Sequence, residues 1–191
     1  TVQGGVFKIE SNNGLKITDG RNRVATITAT DVAASNGVIH VIDKVILPAD
    51  KNIVQTAIAS APEFSILVEA VVAAGLGDAL SAAGPFTVFA PTNAAFAAAL
   101  TELGVTKEAL FANTALLTAV LTYHVVPGRV FKAQVPLNTP ITTLQGATFT
   151  VGNDLAITDQ AGRKAGIVAT DVMTSNGVIH VIDKVILPTA G

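Results

Sequence analysis

The chain has 191 residues, no cysteine and a formal net charge of −2 at pH 7, and only 14% of its residues are charged. Because it has no run of Lys and Arg, the sequence does not indicate nucleic acid or an anionic membrane as a partner. Its first residues, Thr1–Gly5, lack the charged and apolar regions of a signal peptide, so we expect a mature, processed or truncated chain. The longest uncharged stretch, Ala79–Thr101, contains Gly84-Pro85 and Pro91, which would break a lipid-exposed helix, so we expect it to form core rather than a transmembrane segment.

Residues 1–48 have the pattern of a β-sheet. Val6–Ile9 and Leu15–Ile17 flank a turn sequence, Ser11–Gly14, and this arrangement predicts a hairpin. Arg23–Thr30 alternates in the manner of a half-buried strand. Val38–Leu47 is apolar along most of its length, so we expect both of its faces to be covered.

Residues 50–126 have a helical character. Asp50 and Pro62-Glu63 are predicted to begin the first two helices, and Phe86–Ala90 reads as a buried strand. Thr92 is placed to cap an Ala-rich helix that carries Phe96 on its apolar side. Two further helices are expected to begin after the capping residues Thr106 and Asn113.

The chain contains an internal repeat. Ser175–Pro188 has the same fourteen residues as Ser35–Pro48, at an offset of 140 positions. A match of this length at a fixed offset indicates a repeated structural unit. We therefore predict that residues 1–48 are the strand-rich C-terminal part of one unit and that residues 49–191 are a complete unit of α+β class, in which the segment 51–188 folds alone.

Three stretches of the complete unit together resemble the fasciclin (FAS1) domain family. Gly84–Phe96, which contains Thr92, Asn93 and Phe96, resembles the first conserved box of the family. Tyr123-His124 lies between bulky apolar residues in the manner of the family, and Ser175–Pro188, with His180 and Asp183, resembles the second conserved box. The resemblance implies a fasciclin-like β-sandwich or wedge, with a helical layer formed by the first half of the domain.

The same resemblance implies an extracellular or cell-surface adhesion module, often in tandem arrays, with no known chemistry or cofactor. In animal members two short segments have been proposed as integrin contacts. One matches Tyr123 and His124, and the other matches Asp171, Val172 and Met173. Ala169-Thr170 stands where the animal motif has an acidic residue and a proline.

The residue types themselves indicate no catalytic or metal site. The chain has three histidines, and His124 precedes His180 by 56 positions, so no pair has the spacing of metal ligands. His40 and His180 lie among Val and Ile, and we expect satisfied core histidines there. For Asp183 a structural carboxylate is favoured over a ligand contact, and Tyr123 fits either an exposed anchor or a core ring with its hydroxyl at the rim.

The sequence is compatible with three functions. The first is an adhesion or matrix module that contacts a protein or matrix partner. The second is a structural protein that self-assembles with copies of itself, for example into filaments, because residues 1–48 lack the helices that would cover their strands and we expect contacts from outside that segment. The third is a carrier of a small hydrophobic ligand, which the resemblance to pigment- or lipid-binding family members implies.

Overall fold

The computed structural model describes residues 1–189, which divide into two compact units. Unit 1 comprises Thr1–Lys51 together with Met173–Ser175, and unit 2 comprises Asn52–Val172 and the residues from Asn176 onward. Within the described part of the chain no helix has the length and apolar character needed to span a bilayer. The predicted boundary between residues 48 and 49 stays a prediction.

Unit 1 is built on an antiparallel sheet of four strands in the order β1-β2-β3-β4. The strands are β1 (Lys8–Glu10), β2 (Lys16–Thr18), β3 (Val24–Ala34) and β4 (Gly37–Ile42). Pairing of Lys8 with Thr18 and of Glu10 with Lys16 confirms the predicted hairpin. The β3–β4 register shifts twice, and β4 forms one edge of the sheet.

Unit 2 begins with helices and ends with strands. Its helices are α1 (Ile53–Ala59), α2 (Ser65–Ala73), α3 (Gly77–Ser81), α4 (Asn93–Leu103), α5 (Lys107–Ala112) and α6 (Thr114–Tyr123). Its strands are β5 (Phe86–Pro91), β6 (Val125–Pro127), β7 (Ile141–Thr142), β8 (Thr148–Val151), β9 (Ala156–Thr158), β10 (Lys164–Thr174) and β11 (Gly177–Ile182). A short 3-10 turn covers Lys132–Gln134.

The seven strands form one sheet in the order β6-β5-β11-β10-β9-β8-β7, in which β5 runs parallel to β11. Side chains of β5 alternate between two apolar clusters, since Val88 and Ala90 pack with the helices while Phe89 packs with Phe149 and Ile157 of the sheet. The helices therefore form a layer on one side of the sheet. The architecture is α+β, a wedge with a helical layer contributed by the first half of the unit.

Capping residues explain where most of the helices begin. The Thr92, Thr106 and Asn113 side chains accept hydrogen bonds from main-chain amides in the first turns of α4, α5 and α6, which confirms those three predictions. The prediction for α1 is wrong by two residues. Asn52, not Asp50, caps it, in a reciprocal capping box with Gln55.

The expectation that both faces of Val38–Leu47 are covered is wrong for β4. The exposed fractions of Val38, Ile39 and Val41 are 59%, 53% and 45%. The reason is that unit 1 contains no described helix and no strand on the outer edge of β4. The same residues in the second copy are covered, because β11 lies between β5 and β10.

Candidate functional site

Tyr123 is the last residue of α6, and its side chain is fully buried. Its ring packs edge-on against Phe149, with the two ring centres 6.0 Å apart, and its hydroxyl donates a hydrogen bond of 2.8 Å to the Thr148 carbonyl oxygen. Burial raises the pKa of this hydroxyl to about 12. Of the two predicted arrangements, the structure therefore shows the core ring and not the exposed anchor.

His124, at the end of α6, is held in one neutral tautomer by two main-chain partners. The Ile186 amide donates to Nε2 over 3.1 Å, so Nδ1 carries the ring proton and donates to the Val120 carbonyl oxygen at 2.7 Å. Burial lowers the pKa of His124 to about 4. The ring therefore links α6 to the segment that follows β11.

His180, in the middle of β11, has the opposite tautomer. The Asp171 amide donates to Nδ1 over 3.3 Å, so Nε2 carries the proton and donates to the Val130 carbonyl oxygen at 2.9 Å. Burial lowers the pKa of His180, although the hydrogen bond with Val130 opposes that change. The expectation of a satisfied core histidine is therefore confirmed for His180, which is buried with both nitrogens bonded. It is wrong for the equivalent His40, which is exposed because no described strand lies on the outer edge of β4.

The segment Asp171–Met173 lies in β10 beside His180. Asp171 has a left-handed backbone conformation with a φ of 61°, and its Oδ1 accepts a hydrogen bond of 2.7 Å from the Lys132 amide. Asp171 and Met173 are buried and Val172 is half-buried. Like Tyr123 and His124, these residues are largely buried and offer little surface to a partner. The predicted role of the five residues in adhesion stays a prediction.

The Thr92–Phe96 segment of the first box organises the helical layer. Asn93 accepts a hydrogen bond from the Ile66 amide at 3.0 Å and donates to the Ser65 hydroxyl at 2.9 Å, so it caps α2, whose own N-cap residue has no capping side chain. Phe96 is buried in the cluster between the helices and the sheet. These residues hold α2 and α4 together.

Asp183 holds a neighbouring strand. Its Oδ1 accepts a hydrogen bond of 2.7 Å from the Gly166 amide, and its own amide donates to the Gly166 carbonyl oxygen. In unit 1 Asp43 makes the same pair of bonds with Thr26. This geometry is that of the structural carboxylate favoured from the sequence.

Sequence reasoning missed an ion pair with a buried carboxylate that both units contain. Asp159 of unit 2 accepts hydrogen bonds from the Arg163 guanidinium and from the amides of Arg163 and Leu187. Asp19 of unit 1 makes the equivalent bonds with Arg23 and Leu47. Burial raises the pKa of Asp19, but the hydrogen bonds, led by that from Arg23, outweigh it and lower the pKa to about 2. An Asp followed by an Arg four positions later, in both copies, was the available signal.

Sequence reasoning also missed the role of Asn176. Its side chain accepts a hydrogen bond from the Ile53 amide at 2.9 Å and donates to the carbonyl oxygens of Leu80 and Ala82, each at 2.8 Å. It therefore joins the start of α1 and the end of α3 to the turn before β11. The next residue, Gly177, lies so close to β5 that an added Cβ would be 2.1 Å from the Phe86 carbonyl oxygen.

Unit 2 contains an apolar cavity and an apolar groove. A cavity between α1, α2 and β5 has a volume of about 30 Å³, room for roughly one or two water molecules. A groove between α4, α5 and α6 has a volume of about 220 Å³ and is lined by apolar side chains, among them Phe96, Leu103, Leu110, Leu116, Val120 and Leu187. Among residues 1–189 no group of three or more His, Asp or Glu side chains is placed to hold a metal ion.

The two neutral histidines make the stability of unit 2 dependent on pH. Because the folded-state pKa values of His124 and His180 lie below the ordinary value of 6.5, the unfolded chain binds more protons. We expect the free energy of unfolding of unit 2 to be constant above about pH 6.5 and to fall as the pH drops toward the folded-state value of about 4 for His124. Hydrogen exchange of core amides such as that of Val178, converted to free energies of opening, measures this loss.

Imidazole ¹⁵N shifts provide an independent check of the same arrangement. At pH 7.5 they should show a proton on Nδ1 of His124 and on Nε2 of His180. Titration of the His124 and His180 signals near pH 6.5, with no loss of stability between pH 6.5 and 4, would contradict the arrangement.

Comparison with known proteins places these features in a family. The model of the fasciclin domain matches residues 1–48 and 62–188. Protein sll1483 of Synechocystis sp. is 51% identical over 127 residues, which are 65% of this chain and 67% of that protein. Transforming growth factor-beta-induced protein ig-h3 of Oryctolagus cuniculus is 35% identical over 164 residues, 86% of this chain but 23% of that protein.

A solved structure has the same fold. It is a FAS1 domain pair from the insect cell adhesion molecule fasciclin I, with a TM-score of 0.65 and 20% sequence identity, and the match covers 97% of this chain and 67% of that one. Together with the family-model matches over most of the sequence, these similarities show that the chain belongs to the fasciclin (FAS1) domain family.

Proposed function

We propose that this chain is an extracellular adhesion or matrix module that acts through protein–protein contacts and not through catalysis. The observation that carries the proposal is the run of exposed apolar side chains on β3 and β4 of unit 1, which includes Val32, Val38, Ile39 and Val41. Exposed apolar side chains at the free edge of a sheet are typical of surfaces that bind another polypeptide.

The family supports the location and the kind of partner. The structural neighbour comes from a cell adhesion molecule and contains a pair of FAS1 domains. We extend the cell-surface or secreted location, and the arrangement in tandem, to this chain. A protein or matrix component is the partner that this reading favours.

We propose a second contact region around Asp171. The side chains of Tyr123, His124, Asp171 and Met173 are buried, so they would act by holding the surface in place rather than by touching a partner. Val168, three residues before Asp171 on β10, has an exposed fraction of 59%. A partner that uses this region would contact Val168 and its neighbours.

Attachment of cultured fibroblasts to wells coated with the purified chain tests the proposal. We expect attachment above that on albumin, and at least a tenfold loss in the double variant Val38→Lys/Val41→Lys, because charge on the apolar strand opposes burial against a partner. Val168→Lys tests the region around Asp171. Val72→Lys, a change at an isolated exposed residue of α2, is the matched control and should have no effect. Attachment equal to that on albumin would refute the adhesive function.

A self-assembling structural protein is the alternative that the free edge of β4 favours. The edge strand could pair with a second copy, and a contact of this kind that does not close on itself leads to filaments. Light scattering of the purified chain separates the two functions, because assembly makes the mean mass depend on concentration.

A carrier of a small hydrophobic ligand is the alternative that the groove between α4, α5 and α6 favours. The groove is apolar and has a volume of about 220 Å³. Native mass spectrometry of the chain purified from cells would show a bound lipid or pigment as added mass if the groove carries one.

A further inference from the structure

β4 and β11 have one sequence and two environments. Both strands read Gly-Val-Ile-His-Val-Ile within an identical run of fourteen residues. Val178 and Ile179 of β11 have exposed fractions of 0% and 4%, whereas the equivalent Val38 and Ile39 of β4 have 59% and 53%. The strand in unit 1 therefore has the side chains of a buried strand without the neighbours that bury them.

In unit 2, β5 and two helices lie against the start of β11. β5 pairs with it in parallel, with Gly177 opposite Phe86 and Ile182 opposite Pro91. The Phe86 amide donates to the Asn176 carbonyl oxygen at 3.0 Å, at the start of that pairing. The Asn176 side chain then binds the first turn of α1 and the end of α3. One strand and two helices thus bind the start of β11, and the apolar cluster of the helical layer covers Ile179.

Asn36 and Gly37 of unit 1 are equivalent to Asn176 and Gly177, which contact β5 and the two helices in unit 2. Gly177 must lack a side chain because the Phe86 carbonyl oxygen approaches it, while a Cβ on the equivalent Gly37 would meet nothing within 4 Å. Asn176 is buried among its three partners, while the equivalent Asn36 is exposed. Among the described residues of unit 1, no helix lies near enough to bind the Asn36 side chain, and no strand approaches Gly37 closely enough to exclude a Cβ.

We propose that the free edge of β4 binds the helical half of a fasciclin unit, that is, a polypeptide equivalent to residues 52–131 that supplies a parallel strand of the Phe86–Pro91 kind. This inference rests on the proposed function of unit 1 in protein–protein contact, and it specifies which polypeptide binds the free edge of β4. The strand would pair with β4 in the β5–β11 register, and helices equivalent to α1 and α3 would receive the Asn36 side chain.

The β5 strand of a second copy is a poorer occupant. In unit 2 β5 lies between β6 and β11, so both of its edges are already paired. If the β5 of one copy paired with the β4 of another, the first copy would lose the pairing of its own β11. Each chain would then still have one strand, β4 or β11, without a β5 partner. A partner that carries its own helical half leaves unit 2 closed and covers β4.

A peptide with the sequence of residues 84–97 and three added C-terminal lysines provides the first test. We expect it to slow hydrogen exchange of the amides of residues 37–42 in the full chain at least tenfold. A peptide with Pro in place of Val88 should not, since proline lacks the amide that strand pairing requires. Without peptide, the Gly37→Ala variant should exchange these amides at the same rate as the parent chain. With peptide, it should gain less than a tenth of the protection that the parent gains.

A chain extended before Thr1 by a second copy of residues 49–142 provides the second test and does not depend on the solubility of the peptide. The junction follows the repeat, because Thr143-Leu-Gln-Gly aligns with Thr1-Val-Gln-Gly. We expect the amides of residues 37–42 to become as protected as those of residues 177–182, and Gly37→Ala to abolish that gain.

The outcomes are distinct. Unprotected β4 amides in both experiments, or equal protection in the Gly37→Ala variants, would overturn the inference. Protection that rises with the concentration of the chain alone would also overturn it, since the occupant would then be a second copy. Attachment of cells without any effect of peptide or extension would leave the adhesive function standing and remove only the occupant proposed here.

Discussion

Replacing Ile179 by Ala is expected to lower the free energy of unfolding of unit 2 by about 2–4 kcal/mol, whereas the same change at Ile39 should lower that of unit 1 by less than about 1 kcal/mol. Ile179 is 4% exposed and packs in the cluster beneath the helices. Truncation there removes apolar contacts and leaves a cavity that the packed surroundings do not fill. Ile39 is 53% exposed, so its truncation mainly removes surface that water already reaches.

The two positions form a matched pair, because each is the fifth residue of the same fourteen-residue run. Strand propensity and near-neighbour sequence are therefore equal, and the difference between the two losses isolates the contribution of burial. Hydrogen exchange of core amides in each unit measures both losses in one molecule. Lys184→Ala, outside the apolar cluster, is a second control and should have little effect. Equal losses at Ile179 and Ile39 would show that the burial assigned to β11 and β4 is wrong.

This pair also shows what the sequence could and could not predict. The hairpin of β1 and β2 and the caps Thr92, Thr106 and Asn113 follow from local turn and capping chemistry, and local pattern was enough to find them. The apolar run Val38–Leu47 was predicted to be covered, and in β4 it is not. Burial depends on which elements lie next to a strand, and no local pattern contains that information.

The candidate site had the same limitation. The resemblance to the family drew attention to Tyr123, His124 and Asp171, but only the structure shows that main-chain groups occupy their polar atoms. A tyrosine at the end of an apolar helix has the same sequence pattern whether its ring points into the core or out of it. The capping of α2 by Asn93 was equally hidden, since donor and acceptor are 27 residues apart.

Replacing Asp159 by Asn should destabilise unit 2 by about 3–5 kcal/mol. The Asp159 carboxylate is 0% exposed and binds the Arg163 guanidinium, whose side chain is 16% exposed. An amide group of the same size cannot neutralise the arginine. It also has one oxygen to offer where the carboxylate has two, each of which accepts hydrogen bonds from main-chain amides, those of Ala161 and Arg163 on one and that of Leu187 on the other.

Arg163 has other partners, but they do not replace Asp159. The guanidinium also pairs with Glu102 over 3.1 Å and donates to the Val185 carbonyl oxygen. Glu102 is 42% exposed, so its attraction is weakened by solvent. In the variant, the positive charge of Arg163 would therefore stay mostly buried, and Glu102, which is screened by solvent, would be its remaining counter-charge. Exchange of the Leu187 and Val185 amides should respond first, because that segment is held directly by the pair.

Asp19→Asn in unit 1 is the control that decides whether burial of the arginine is the cause. Asp19 makes equivalent bonds, but its partner Arg23 has a side chain that is 50% exposed. Once the carboxylate is neutralised, Arg23 can turn into water, so the expected loss is smaller than that in unit 2 by at least about 1 kcal/mol. If the two substitutions cost the same, the loss comes from the main-chain hydrogen bonds that both carboxylates accept, and the stranded charge of Arg163 contributes nothing measurable.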